Sequence, residues 1–156
     1  MNIRKEQGIT LMVLVITIIL LLIISGISIT GTLRGHEETE EASEISELNM
    51  IQHAILERYT KAQLTNETLP GTDIEKNQVQ KIIDEIKNES NNESNEQISL
   101  KGKEYKRLDT TDLSNLVIKK EEDTFIVNYK TGEVINETKK TTKSGKALYI
   151  YAKNEE

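Results

Sequence analysis

Hydrophobic and polar positions change rhythm twice along this chain. From Ile9 to Leu33 (ITLMVLVITIILLLIISGISITGTL) no side chain is charged. At a rise of about 1.5 Å per residue this run makes a helix of roughly 37 Å, longer than a hydrocarbon core of about 30 Å. The pattern predicts a transmembrane helix over 9–33. After Gly35 the apolar positions become periodic. Ala42, Ile45, Leu48, Ile51, Ile55, Tyr59 and Ala62 recur at spacings of three and four, one face of an amphipathic helix over 34–65. Glutamates, then Arg58 and Lys61, take the opposite face. No proline precedes Pro70, so the two segments read as one continuous helix, with Ser25-Gly26, Gly31 and Gly35 as soft points.

The rhythm then shortens. Thr65 to Gly71 (TNETLPG) reads as a helix stop and loop. Thr72 or Asp73 is placed to cap a second helix whose apolar side is Ile74, Val79, Ile82, Ile83 and Ile86. Residues 88–97 (NESNNESNEQ) contain nothing apolar and read as a solvated, mobile loop. Tyr105 to Leu108 is a weak strand. Thr110 or Thr111 caps a helical turn through Asp112, Leu113 and Leu116. Thr124 to Tyr129 is the clearest strand, with Phe125, Val127 and Tyr129 on one face and Ile126 and Asn128 on the other. Lys130-Thr131-Gly132 is a turn, and Glu133 to Asn136 returns as its hairpin partner. Lys139 to Gly145 is a basic loop, and Ala147 to Ala152 a last strand. The expected class is α+β: a long N-terminal helix, half membrane-embedded and half amphipathic, packed on a small antiparallel sheet. The domains are a leader over 1–8, the span over 9–33, the amphipathic continuation over 34–65 and a small head over 66–156.

Composition limits the head and orients it. One Phe, five Tyr and no Trp among 156 residues leave a core of Ile, Leu and Val. Cysteine is absent, so no disulfide, thiolate metal site or cysteine nucleophile exists. The net charge of −6 is uneven. Arg4 and Lys5 lie before the apolar run, and Glu37, Glu38, Glu40, Glu41, Glu44 and Glu47 follow it. Basic residues stay on the cytoplasmic side, which places the N-terminus inside and the head outside. A net-acidic exterior argues against general nucleic-acid binding. The only candidate basic patch is Lys139, Lys140, Lys143 and Lys146. A cleaved secretory signal fits poorly, because its apolar core would be shorter, about 7–15 residues.

Lys5-Glu6-Gln7-Gly8 followed by Ile9-Thr10-Leu11 resembles the cleavage region of type IV prepilins and pseudopilins. In that class a basic leader ending in Gly is removed and the apolar run stays on the mature protein. Leu113-Ser114-Asn115-Leu116, then Thr124 to Tyr129 and Thr131-Gly132-Glu133-Val134, is similar to the small-sheet region of Gram-positive pseudopilin-like proteins. The resemblance implies a pilin-like fold, cleavage by a prepilin peptidase between Gly8 and Ile9, N-methylation of Ile9, and packing of apolar helices with sister subunits in a filament. One position departs from the family, whose fifth mature residue is usually Glu. Here it is Val13, which cannot pair with a neighbour's amino terminus, so a tip or minor role is implied alongside a divergent branch.

No Walker loop, dinucleotide fingerprint, HExxH or nucleophile elbow is present. His36 and His53 are too far apart on one helix to converge on a metal. Four Asn-x-Ser/Thr matches begin at Asn66, Asn88, Asn92 and Asn136 and are cheap in so Asn-rich a chain. The expected function is therefore structural, not enzymatic, with no cofactor and no metal. The partners are a prepilin peptidase, sister subunits and the membrane. An uncleaved single-pass anchor displaying a small binding module is the alternative.

Overall fold

The computed structural model describes residues 3–91, 98–116, 118 and 122–155, with the side chains of 3–11 and 22–37 outside that description. Helix α1 runs Ile3–Thr65. Strand β1 (Thr72–Ile74) follows, then α2 (Lys76–Glu89), β2 (Tyr105–Leu108), α3 (Thr110–Asn115), β3 (Phe125–Asn128), β4 (Glu133–Asn136) and β5 (Tyr149–Ile150). The chain divides into two compact units, Met1–Thr39 and Glu40–Glu156.

The first unit contains the N-terminal part of α1. Over 12–21 its described side chains are apolar apart from Thr17, whose hydroxyl donates to the Leu14 carbonyl at 2.8 Å and so stays satisfied within the helix. Every large apolar side chain in this stretch is exposed. Among the described residues no helix is long and apolar enough to cross a membrane. The expected leader over 1–8 and most of the expected span over 9–33 fall on residues whose side chains lie outside the described ones.

The second unit is α+β and has three layers. Its five strands form one sheet in the order β1-β2-β3-β4-β5, every neighbouring pair antiparallel. One face packs on α1 and α3 through Leu48, Ile51, Ile55, Leu108, Leu113, Phe125, Val127 and Val134. The other face packs on α2 through Val79, Ile83, Ile86, Tyr105, Ile126 and Ile135. Alternation along β3 assigns these faces: Phe125 and Val127 point to α1, Ile126 to α2. Burying each large aliphatic side chain contributes about 1.5–3 kcal/mol, so the second face roughly doubles what a one-sided sheet of this size would gain.

Four expectations need correction. Thr72-Asp73 does not cap a helix. The segment pairs with β2, with Thr72 opposite Arg107 and Ile74 opposite Tyr105. Ile74 is buried as a sheet residue, and Glu75 becomes the N-cap of α2 without a side-chain cap bond. The cap of α3 is Asp109, which accepts from the N–H groups of Thr111 and Asp112 at 2.8 and 2.9 Å, while Asp112 reaches back to the Asp109 N–H at 3.2 Å. The start of the expected loop over 88–97 is ordered. Glu89 is still helical, and Asn91 bonds the Gly145 carbonyl through its N–H at 2.9 Å; residues 92–97 lie outside the described ones. The last strand is shorter than 147–152, because only Tyr149 and Ile150 pair with β4.

The β3–β4 hairpin turns at 129–132, with Gly132 at φ +70°. A Cβ there would also stand 3.0 Å from the Ala152 Cβ, so both backbone and space favour glycine.

Candidate functional site

The sequence-predicted positions at the N-terminus are placed unevenly. Gly8 and Ile9 belong to the helical backbone of α1, and their surroundings lie outside the described residues. Val13 is described and is 54% exposed. Exposure of its neighbours ranges from 46% at Val15 to 66% at Met12. Ten consecutive helical positions thus offer an uncharged surface all round, with no protein packed on it among the described residues.

The acidic run after the apolar segment meets the basic loop of the same chain. Lys139 pairs with Glu44 at 3.0 Å, Lys143 with Glu40, and Lys146 with Glu41 at 3.7 Å. The Ser144 hydroxyl donates to Glu41. Lys140 turns the other way, to Glu85 at 2.6 Å and Glu89 at 3.7 Å on α2. All four lysines of the candidate basic patch are therefore engaged by carboxylates. Exposed pairs of this kind contribute little stability each, but they cancel the local positive field that a phosphate backbone would need.

The head holds one feature that sequence reading missed. Glu133 opens β4 and is 0% exposed. Its Oε1 accepts from the Lys101 N–H at 2.6 Å and lies 3.2 Å from the Tyr149 hydroxyl. Its Oε2 accepts from the Thr131 hydroxyl at 2.8 Å and the Tyr105 hydroxyl at 2.9 Å. A phenol has one proton to give. Tyr105 accepts the Gly102 N–H at 3.0 Å and shares its own proton between Glu133 and, at 3.2 Å, the Gly102 carbonyl, and Tyr149 divides its proton between Glu133 and the Ser99 carbonyl at 2.7 Å. Glu133 thereby ties segment 99–102 to the sheet. Gly102 passes so close that a Cβ would lie 1.9 Å from Asn128 Nδ2. Asn128 is itself fixed, donating to the Glu104 carbonyl at 2.7 Å and accepting from the N–H groups of Lys130 and Thr131. With both oxygens enclosed, Glu133 organises structure. A glutamate opening a strand looks like an ordinary solvent-facing residue; the signal available was its place one residue after a Thr-Gly turn, between two tyrosine-bearing strands.

The tyrosines register this environment. Burial first, then the adjoining Glu133 charge, raises the hydroxyl pKa of both Tyr105 and Tyr149 from the ordinary 10.0. Burial also raises that of Tyr129, whose hydroxyl donates to the Pro70 carbonyl at 2.9 Å, with Asp112 adding to the effect and Arg58 opposing it. A pKa raised in the fold favours the protonated state. That stability is complete below the unfolded value near 10 and is lost as pH rises toward the folded values. An ultraviolet titration should show these three phenols failing to ionise around pH 10, then ionising together as the head unfolds in stronger alkali. Ordinary titration of all five tyrosines in the folded head would contradict this.

A cleft of about 450 Å³ opens where β1, β2 and β3 end. Tyr59, Leu69, Ile74 and Tyr129 form its apolar wall, and Lys76, Lys103, Lys106 and Lys130 alternate on the rim with Asp73, Glu75 and Glu104. Among the described residues no group of His, Asp or Glu is arranged to hold a metal. His53 is exposed, and the side chain of His36 lies outside the described residues. Asn136 is 2% exposed and bonds Asp123 at 3.2 Å, so that glycosylation match is inaccessible in the fold. No family model matches this chain, and no curated protein or solved structure matches it either.

Proposed function

We propose that this chain is a structural subunit of a type IV pilus or a type II secretion-like pseudopilus, made as a precursor and trimmed by a prepilin peptidase between Gly8 and Ile9. The observation that carries this reading is the surface of Met12 to Leu21, apolar all round and exposed at every large apolar side chain. Such a helix needs an apolar environment on all sides, supplied by lipid before assembly and by sister helices afterwards. Exchange between the two is feasible because their apolarity is similar. The leader and the uncharged run occur in the order that processing requires, and the α+β unit beyond Glu40 supplies a folded head. Arg4 and Lys5 put the N-terminus inside and the head outside. The work is mechanical, with no cofactor and no catalysis.

Coexpression with a prepilin peptidase should shorten the membrane-extracted protein by its first eight residues, and Gly8→Leu should block this. An intact N-terminus beside an active peptidase would leave the anchored binding module in its place. Val13 makes a second prediction. Glu at this position costs at most about 2.5–3.5 kcal/mol on insertion scales, less near an interface. Val13→Glu should raise incorporation into filaments built by another subunit, measured by crosslinking through the apolar helices. Abundant homopolymer from the wild-type chain would instead make it a divergent major subunit.

A further inference from the structure

The five-stranded sheet is open, and its two edge strands differ. At β1, Asp73 and Lys106 place a charged pair 2.7 Å apart, and the Gly71 N–H is already held by Asp112 at 3.1 Å. Charge on an edge opposes further pairing. At β5 the Asn136 N–H donates to the Leu148 carbonyl at 3.0 Å, Tyr149 lies opposite Ile135 and Ile150 opposite Val134. Bonded positions alternate along an antiparallel ladder. Leu148 and Ile150 therefore turn main-chain groups toward β4, and Tyr149 and Tyr151 turn theirs away from it. Among the described residues those outward N–H and C=O groups meet no partner. Residues 147–152 (ALYIYA) hold no charge, proline or glycine, and Tyr151 is 40% exposed.

We propose that this edge pairs with the β5 edge of a second copy of this chain, antiparallel about a two-fold axis at Ile150, so that one sheet runs through two heads. The occupant follows from the edge itself. Turned about Ile150, the second copy sets its Tyr151 opposite Tyr149 and its Tyr149 opposite Tyr151. The outward groups of each copy then satisfy those of the other in four bonds. Two tyrosine pairs stand on one face, a favourable cross-strand arrangement. The same register sets Lys146 opposite Asn154 and Lys153 opposite Ala147, so the lysines that flank the neutral run face no like charge. Three residues a side bury far less than the roughly 1,200–2,000 Å² of a stable complex. The pairing is thus a contact between copies already held close, where effective concentration is high. It rests on the reading of the Met12–Leu21 surface as membrane-embedded, and not on cleavage or filament growth.

Hydrogen exchange of the full-length wild-type chain in detergent micelles reads this directly, with several chains per micelle and then with one. The Ile150 amide, bonded to β4, should be protected in both samples. The Tyr149 and Tyr151 amides should exchange about tenfold more slowly in the crowded sample. Equal exchange of these two amides in both samples would overturn the proposal. Diffusion of the same samples reports micelle association, and chains outside the micelles would overturn the membrane reading and the proposal with it. A second experiment uses the lack of cysteine. Ile150→Cys puts a unique thiol on the axis, where facing Cα atoms stand about 4.5 Å apart, within disulfide reach. Mild oxidation should join Ile150→Cys chains in far higher yield than Asn77→Cys chains, whose thiol is exposed on α2. Adding Tyr151→Pro removes an outward N–H, leaves the β4 ladder intact and should cut the bridged yield about tenfold. Bridging no higher than with Asn77→Cys, or indifferent to Tyr151→Pro, would mark random collision and overturn the proposal.

Discussion

Glu133→Ala is expected to lower the unfolding free energy of the head by about 3–5 kcal/mol, a large fraction of the roughly 5–15 kcal/mol that folded domains have in hand. The part-buried Lys101 N–H and the enclosed Thr131 hydroxyl lose their acceptor, and the Tyr105 hydroxyl is left with only the Gly102 carbonyl at 3.2 Å. Each buried donor left without a partner costs about 1–3 kcal/mol, and the missing side chain leaves a cavity besides. Glu133→Gln should cost less, since its amide oxygen still accepts, but its amino group faces donors. In thermal melts the alanine variant should lose roughly 10–20 °C. Urea titration should move the midpoint with the slope unchanged. A loss below about 1 kcal/mol would mean that water replaces the carboxyl and that the cluster does not hold the 99–102 segment.

The second large effect belongs to Phe125, the one phenylalanine of the chain, fully buried between β3 and α1. Phe125→Ala should cost about 3–5 kcal/mol, because a close-packed layer relaxes only partly into the space. Ile126, its neighbour on the opposite face, packs with Ile83, Ile86 and Ile135. Ile126→Val there should cost about 0.5–1.5 kcal/mol. The two faces share no side-chain partners, so the double variant should show nearly additive losses. Strong coupling between them in a double-mutant cycle would argue against two separate cores.

Periodicity made the amphipathic half of α1 legible, and Leu48, Ile51 and Ile55 are wholly buried as the stripe requires. It overreached upstream. Ala42 is exposed and Ile45 only half-buried, because that end of the helix faces the basic loop, where carboxylates find lysines. Alternation in β3 was readable for the same reason as the stripe, since each face has its own apolar partners. The second layer was not. Val79, Ile83 and Ile86 show that α2 is amphipathic, but nothing local says which surface its apolar side will meet. Thr72-Asp73 has the chemistry of a helix cap and is a strand instead, since pairing with Tyr105 to Arg107 satisfies its backbone. The burial of Glu133 was hard to read because three of its partners come from positions 101, 105 and 149, brought to it only by the fold. The pairing of Lys139, Lys143 and Lys146 with Glu40, Glu41 and Glu44 is likewise a contact across about a hundred residues. Charge runs announce themselves in sequence without naming their partners.

The strand order has a kinetic consequence. Each strand lies beside the one made just before it, so no strand waits for a partner not yet synthesised. A chain that emerges N-terminus first can add β2 to β1, β3 to β2 and β4 to β3 as each appears, although only the β3–β4 connection is a tight turn. Helix α2 arrives between β1 and β2, before the surface it covers exists, and must dock late. Folding should therefore show an early hairpin phase centred on β3 and β4, followed by a slower step in which α2 closes over Ile126 and Ile135.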